Sequence, residues 1–90
     1  MPTRSVEIAS AVGLHARPAA LFVQAATATG DTVTIGRPGD EAVDGTSILA
    51  VMGLGAKHGE MVEVSVQGDD SDDALDTLIT LLATDLDAPG

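Results

Sequence analysis

Met61-Val62-Glu63-Val64-Ser65-Val66-Gln67 alternates apolar and polar side chains without interruption. Successive side chains on a β-strand point to opposite faces. The run therefore predicts a strand with three valines on a dry face and Glu63 and Ser65 on a wet one. No helix accommodates that period, and an all-helical fold is excluded. Working outward, residues 4–9 alternate in the same way, with Val6 and Ile8 on one side and Ser5 and Glu7 on the other. Residues 32–37 repeat the pattern with Val33 and Ile35 inward. Pro38-Gly39-Asp40 is a turn signal, and residues 41–43 read as the short returning strand of a hairpin.

Between the strands the period changes to that of a helix. After a loop at residues 10–14, Ala19, Phe22, Val23 and Ala26 recur at helical spacing from Ala16 to Thr29, and Gly30 caps the C-terminal end. Residues 46–53 form a short helix that is apolar almost all round. The last helix is strongly amphipathic. Ser71 serves as its N-cap, Asp72 and Asp73 suit the positive first turn, and Leu75, Leu78, Ile79, Leu82 and Leu86 form one stripe, with Pro89-Gly90 as the stop. The order is β-α-β-β-α-β-α. Three helices with apolar stripes cover one face of a four-stranded, mainly antiparallel sheet, which defines an α+β, two-layer, open-faced β-sandwich.

Composition bounds the function. Ninety residues, 44% of them apolar, make one domain over residues 1–90, with a core of Val, Ile, Leu, Ala and Met because Phe22 is the sole aromatic. At this size about 60–65% of the unfolded chain's surface is buried on folding. The absence of cysteine removes disulfides, thiolate nucleophiles and Cys-based metal sites, and fits a cytoplasmic protein. Four basic residues against fourteen acidic ones give a net charge of −10. Phosphate backbones and anionic membranes repel such a surface, so nucleic acid is not the partner. No signal peptide is visible, and the longest apolar stretch, residues 48–56, is far short of the roughly 20 residues a spanning helix needs.

The chemistry concentrates in Gly13-Leu14-His15-Ala16-Arg17-Pro18-Ala19-Ala20. If His15 sits at the start of the helix, the amides of Ala16 and Arg17 have no intrahelical acceptor and carry the positive end of the helix dipole. Pro18 is tolerated there because a first-turn N–H lacks an acceptor anyway. A neutral imidazole has one ring nitrogen with a lone pair, which is what a nucleophile needs. Attack on a phosphoryl donor would place a dianion beside Arg17 and two amides, and the planar guanidinium suits phosphate oxygens. A capping or surface histidine without chemistry is the competing interpretation. Arg17 is one of only four basic residues, which weighs for chemistry. His58, beside Lys57, reads as an ordinary surface residue, and the acidic run at residues 69–73 as solvation of a helix start, its spacing differing from a calcium-binding loop.

Gly13-Leu14-His15-Ala16-Arg17-Pro18-Ala19 closely resembles the active-site motif of the HPr family, the histidine-containing phosphocarriers of the phosphoenolpyruvate-dependent sugar phosphotransferase system. Ser47-Ile48-Leu49-Ala50-Val51-Met52-Gly53-Leu54-Gly55 is similar to that family's regulatory-serine segment, and the resemblance spans essentially the whole chain. It implies a strand order of 1-4-2-3. It implies a carrier, not an enzyme in its own right: enzyme I passes a phosphoryl group to Nδ1 of His15, and phospho-His15 donates it to a histidine of an enzyme IIA domain. Arg17 neutralises the group, with help from the Ala16 amide. No metal or other cofactor is needed, and the expected species is a cytoplasmic monomer without membrane insertion.

Docking is then expected on Ala20, Ile48, Leu49 and Met52. From their spacing, Ile48, Val51 and Leu54 face the core, while Leu49 and Met52 are left for the surface, where a flexible methionine suits several partners. Ser47 is sufficient as an N-cap of the short helix. In many relatives the matching serine is also phosphorylated by a regulatory serine kinase, and reset by a phosphatase, which weakens docking. Here Asp44-Gly45-Thr46 precedes it, where many relatives carry an asparagine and a basic residue. Two other classes compete: a regulatory binding module of the same fold, which has no use for His15 and Arg17, and an acyl carrier, which is all-helical and needs an Asp-Ser-Leu site that is absent.

Overall fold

The structure is a computed structural model that describes residues 3–10, 13–68 and 71–84. Four strands, β1 (Thr3–Glu7), β2 (Thr32–Gly36), β3 (Val43–Asp44) and β4 (Met61–Gln67), alternate with three helices, α1 (Ala16–Thr29), α2 (Ile48–Gly53) and α3 (Ser71–Leu82), in the expected order. They form one sheet of order β1-β4-β2-β3, antiparallel throughout. The alternating run that excluded a helical bundle is the central strand β4. It pairs with β1 in the register Val6↔Val62 and with β2 in the register Ile35↔Val64.

Period two decides which residues meet the helices. Val62, Val64 and Val66 of β4, Val33 and Ile35 of β2 and Val6 of β1 are buried on one face. Against them pack Ala19, Phe22 and Ala26 of α1, Val51 of α2, and Leu75, Leu78 and Leu82 of α3. The other face carries Thr3, Ser5, Glu63, Ser65 and Thr34, with Thr3 and Ser65 joined through their hydroxyls at 2.7 Å. Arg4 shares the helix-side parity with Val6 and forms an ion pair with Asp76 of α3, tying the sheet edge to the helix layer. This is the open-faced two-layer sandwich expected from the alternation.

Several boundaries differ from the sequence reading, each for a local reason. β1 starts at Thr3 and leaves the β4 ladder after Glu7, because Ile8 bonds instead to the loop before β4, through Ile8 N to Glu60 O (2.9 Å) and Gly59 N to Ile8 O (2.9 Å). β2 ends at Gly36, one residue before Arg37. The returning strand is Val43–Asp44, not 41–43, since only Val43 and Asp44 pair with β2. α2 begins at Ile48, not at Thr46: Asp44 accepts bonds from the Thr46 amide (2.9 Å) and hydroxyl (2.7 Å), which fixes a turn there, and Ser47 is the N-cap. Ser71 is the first residue of α3 and not its cap. Leu86 and Pro89-Gly90 lie outside the described residues. Gly30 does close α1, its N–H reaching Thr27 O at 3.2 Å.

Among the described residues, no helix is long and apolar enough to cross a membrane.

Candidate functional site

His15 stands where the sheet layer hands the chain to α1. The approach is set by backbone contacts. Gly13 donates its N–H to Ser10 O at 2.9 Å and has φ +79, a left-handed conformation suited to glycine. A Cβ at this position would lie 2.5 Å from Ala56 O and 2.9 Å from Lys57 Cα, so the two segments run against each other with no room for a side chain. Buried Leu14 then donates its amide to Ala56 O at 2.8 Å. The residue before His15 is thereby fixed to the loop between α2 and β4.

His15 itself is the N-cap of α1, with φ −89 and ψ −166, and its carbonyl accepts the first helical bond, from Ala19 N at 3.0 Å. Its side chain makes no capping bond to the helix and is half-buried. Ala16 and Arg17, the first two helical residues, leave their amides without an intrahelical acceptor. Pro18 is buried in the third position, where its missing N–H costs no helical bond. Arg17 is exposed and enters no ion pair among the described residues. His15, Arg17 and two amides without an intrahelical acceptor therefore share one helix start, an arrangement that favours an incoming dianion.

The expected docking residues lie on the adjoining helix. α1 and α2 pack together, and α2 runs directly into the segment whose Ala56 carbonyl holds Leu14. Leu49 is 80% exposed and Met52 39%, as the spacing predicted, while Val51 is fully buried. Ile48, which the spacing turned toward the core, is instead 37% exposed. The reason is length: α2 has six residues and begins at Ile48, so one turn presents only Val51 fully inward, with Leu54 partly buried behind it. Ile48 thus joins the apolar surface. Leu21 of α1 is 36% exposed, and Ala20 is half-buried. Ser47 caps α2 by accepting from Ala50 N at 3.3 Å.

Sequence reasoning also missed the residues that hold the loop. Arg37, just past β2, donates Nη1 to Leu54 O (2.5 Å) and Nε to Glu60 Oε2 (2.9 Å). Glu60 Oε1 accepts the Lys57 amide at 3.0 Å. The Arg37 hydrogen bond, followed by that of the Lys57 amide, holds the Glu60 carboxyl below the usual carboxylate range. The Thr46 hydroxyl and amide do the same for Asp44. His58, read as an ordinary surface residue, is exposed, yet its Nδ1 lies 3.2 Å from Ser10 O, the carbonyl that also receives Gly13. Local patterning carried no signal for Arg37 with Glu60 or His58 with Ser10, because those partners are 23 and 48 residues apart in sequence.

Comparison with known proteins bears on the family and the fold. The family model described as "PTS HPr component phosphorylation site" matches residues 2–84. The phosphocarrier protein HPr of Streptomyces coelicolor is 45% identical over 97% of this chain and 94% of its own. HPr-C-His of Thermoanaerobacter tengcongensis superposes with a TM-score of 0.84 at 38% identity, covering 91% of each chain. The Bacillus anthracis phosphocarrier protein HPr gives a TM-score of 0.83 at 33% identity, over 90% of this chain and 95% of its own.

Proposed function

The chain belongs to the HPr family of phosphotransferase-system phosphocarriers, and from that premise we propose that it takes a phosphoryl group from phospho-enzyme I onto Nδ1 of His15 and passes it to a histidine of enzyme IIA in the cytoplasm. The observation that carries this reading is the placement of His15 as the N-cap of α1, with the Ala16 and Arg17 amides unpaired beside it. The lone pair of Nδ1 attacks phosphorus, and the bond to the donor breaks with its electron pair returning to the donor. The product carries two negative charges next to Arg17 and the helix start. Charge–dipole contacts of this kind contribute about 0.3–1 kcal/mol each when exposed, and up to ~2 when partly buried. That scale suits a carrier, because a phosphoryl group held more tightly would not be handed on.

Ile48, Leu49 and Met52 supply the apolar face on which enzyme I and enzyme IIA dock in turn. Ser47 borders that face. A phosphate added to it by a kinase would put about −1.5 to −2 charge at the rim of the docking surface and weaken both encounters. The experiment for the carrier reading is incubation with phosphoenolpyruvate and enzyme I. The protein should gain the mass of one phosphoryl group, labile in acid and stable in base, and lose that capacity in His15→Ala. Subsequent addition of enzyme IIA should discharge it. A modification that survives His15→Ala would overturn the assignment.

A further inference from the structure

We propose that Arg37 and Glu60 are positioning residues for phosphoryl transfer, acting on His15 through the loop between α2 and β4. This rests on His15 being the acceptor. The hydrogen bonds of both side chains go to the loop and to each other, not to His15. What they hold is the loop against which His15 is seated, and they hold it at three points. Nη1 of Arg37 binds Leu54 O (2.5 Å) at the loop's start, and Nε binds Glu60 Oε2 (2.9 Å) at its end. Glu60 Oε1 takes the Lys57 amide (3.0 Å) in the middle, and the backbone closes the same turn through Glu60 N to Lys57 O (3.0 Å).

Ala56 lies between those anchors, and its carbonyl is the acceptor for Leu14 N at 2.8 Å. The contact is tight, since a Cβ on Gly13 would come within 2.5 Å of that same oxygen. A displacement of the loop is therefore passed to Leu14, and from Leu14 to the backbone of His15 one residue later. Arginine is needed for this task, because its planar fork serves two acceptors at once from one side chain. The side chains of Arg37 and Glu60 are each 33% exposed. Solvent screens such a pair, so its worth lies less in stability than in fixing a geometry. Near-attack alignment is sensitive to that geometry, and a misplacement of about 1 Å far from the chemistry can cost up to about 100-fold in rate.

The test uses the full chain as substrate of enzyme I, with Arg37→Ala, Arg37→Lys and Glu60→Gln. Transfer kinetics are read together with the hydrogen exchange of the Leu14 amide. In Arg37→Ala, kcat should fall about tenfold with KM within about twofold, since the apolar face of α2 is untouched. Leu14 should exchange at least about tenfold faster while Val64 in β4 stays protected, as expected for local and not global opening. Arg37→Lys keeps the charge but cannot reach Leu54 O and Glu60 together, so it should show most of the kcat loss. It carries the same test if Arg37→Ala does not fold. Glu60→Gln should fall between. Unchanged kcat, a loss confined to KM, or a Leu14 amide as protected as in the parent would each overturn the proposal. If the parent protein takes no phosphoryl group on His15, the carrier reading fails first, and the exchange of Leu14 still decides whether the clamp exists.

Discussion

A single methyl group at Gly13 should unseat the candidate site, and the structure gives the size of the effect. Gly13 has φ +79, where an L-residue is disfavoured by about 1–2 kcal/mol. The new Cβ would also lie 2.5 Å from Ala56 O and 2.9 Å from Lys57 Cα. Both are backbone atoms, so neither can rotate away, and the segments must part. Parting lengthens the 2.8 Å bond from Leu14 N to Ala56 O, and an unmet buried amide costs about 1–3 kcal/mol. Gly13→Ala should therefore destabilise by about 2–5 kcal/mol, a large share of the roughly 5–15 kcal/mol of a typical domain. Gly39→Ala is the internal control: its φ is +85, but a Cβ there meets nothing within 4 Å, so only the backbone term applies. Urea unfolding followed by circular dichroism measures both variants, and Leu14 exchange locates the damage. If Gly13→Ala were no more destabilising than Gly39→Ala, the close seating of the His15 segment on the Ala56 carbonyl would be refuted.

Three further outcomes are expected from the same structure. Phe22 is fully buried and the chain's sole aromatic, so Phe22→Ala should cost about 3–5 kcal/mol by urea unfolding. Leu49 is 80% exposed, so Leu49→Asp should leave stability within about 0.5 kcal/mol while raising the KM for enzyme I, a split that steady-state transfer kinetics would reveal. The Glu60 carboxyl is held below its ordinary range by Arg37 and then by the Lys57 amide. Its stabilising contribution is thus complete above about pH 4.3, the usual glutamate value, and is lost as pH falls through the lower native value. Acid also relieves the self-repulsion of a chain with net charge −10. The measurement is accordingly the difference between the parent and Glu60→Gln in urea midpoint, which should shrink as the pH drops below that window.

How much of this was legible beforehand depends on the range of the interaction. The valines of β4, the stripe of α1 and the turn at residues 38–40 announced themselves because each is a local pattern repeated within a few residues. His15, Arg17 and Pro18 were legible as a helix start for the same reason. Ile48 was misplaced because a six-residue helix makes too few turns for periodicity to assign its faces. Arg37 and Glu60, 23 residues apart, and His58 and Ser10, 48 apart, form pairs that no window of local sequence contains.

From its residues alone the chain specified element types, their order, the buried faces of β1, β2 and β4 and an imidazole at a helix N-terminus, since backbone sterics and side-chain period act between near neighbours. Folding alone settled what surrounds that imidazole. The loop from Leu54 to Glu60 reaches Leu14 only because antiparallel pairing of β4 with both β1 and β2 brings the loop, Arg37 and the entry to α1 to one end of the sheet. Contacts of that kind arise from chain crossing, and nothing in a local stretch encodes them.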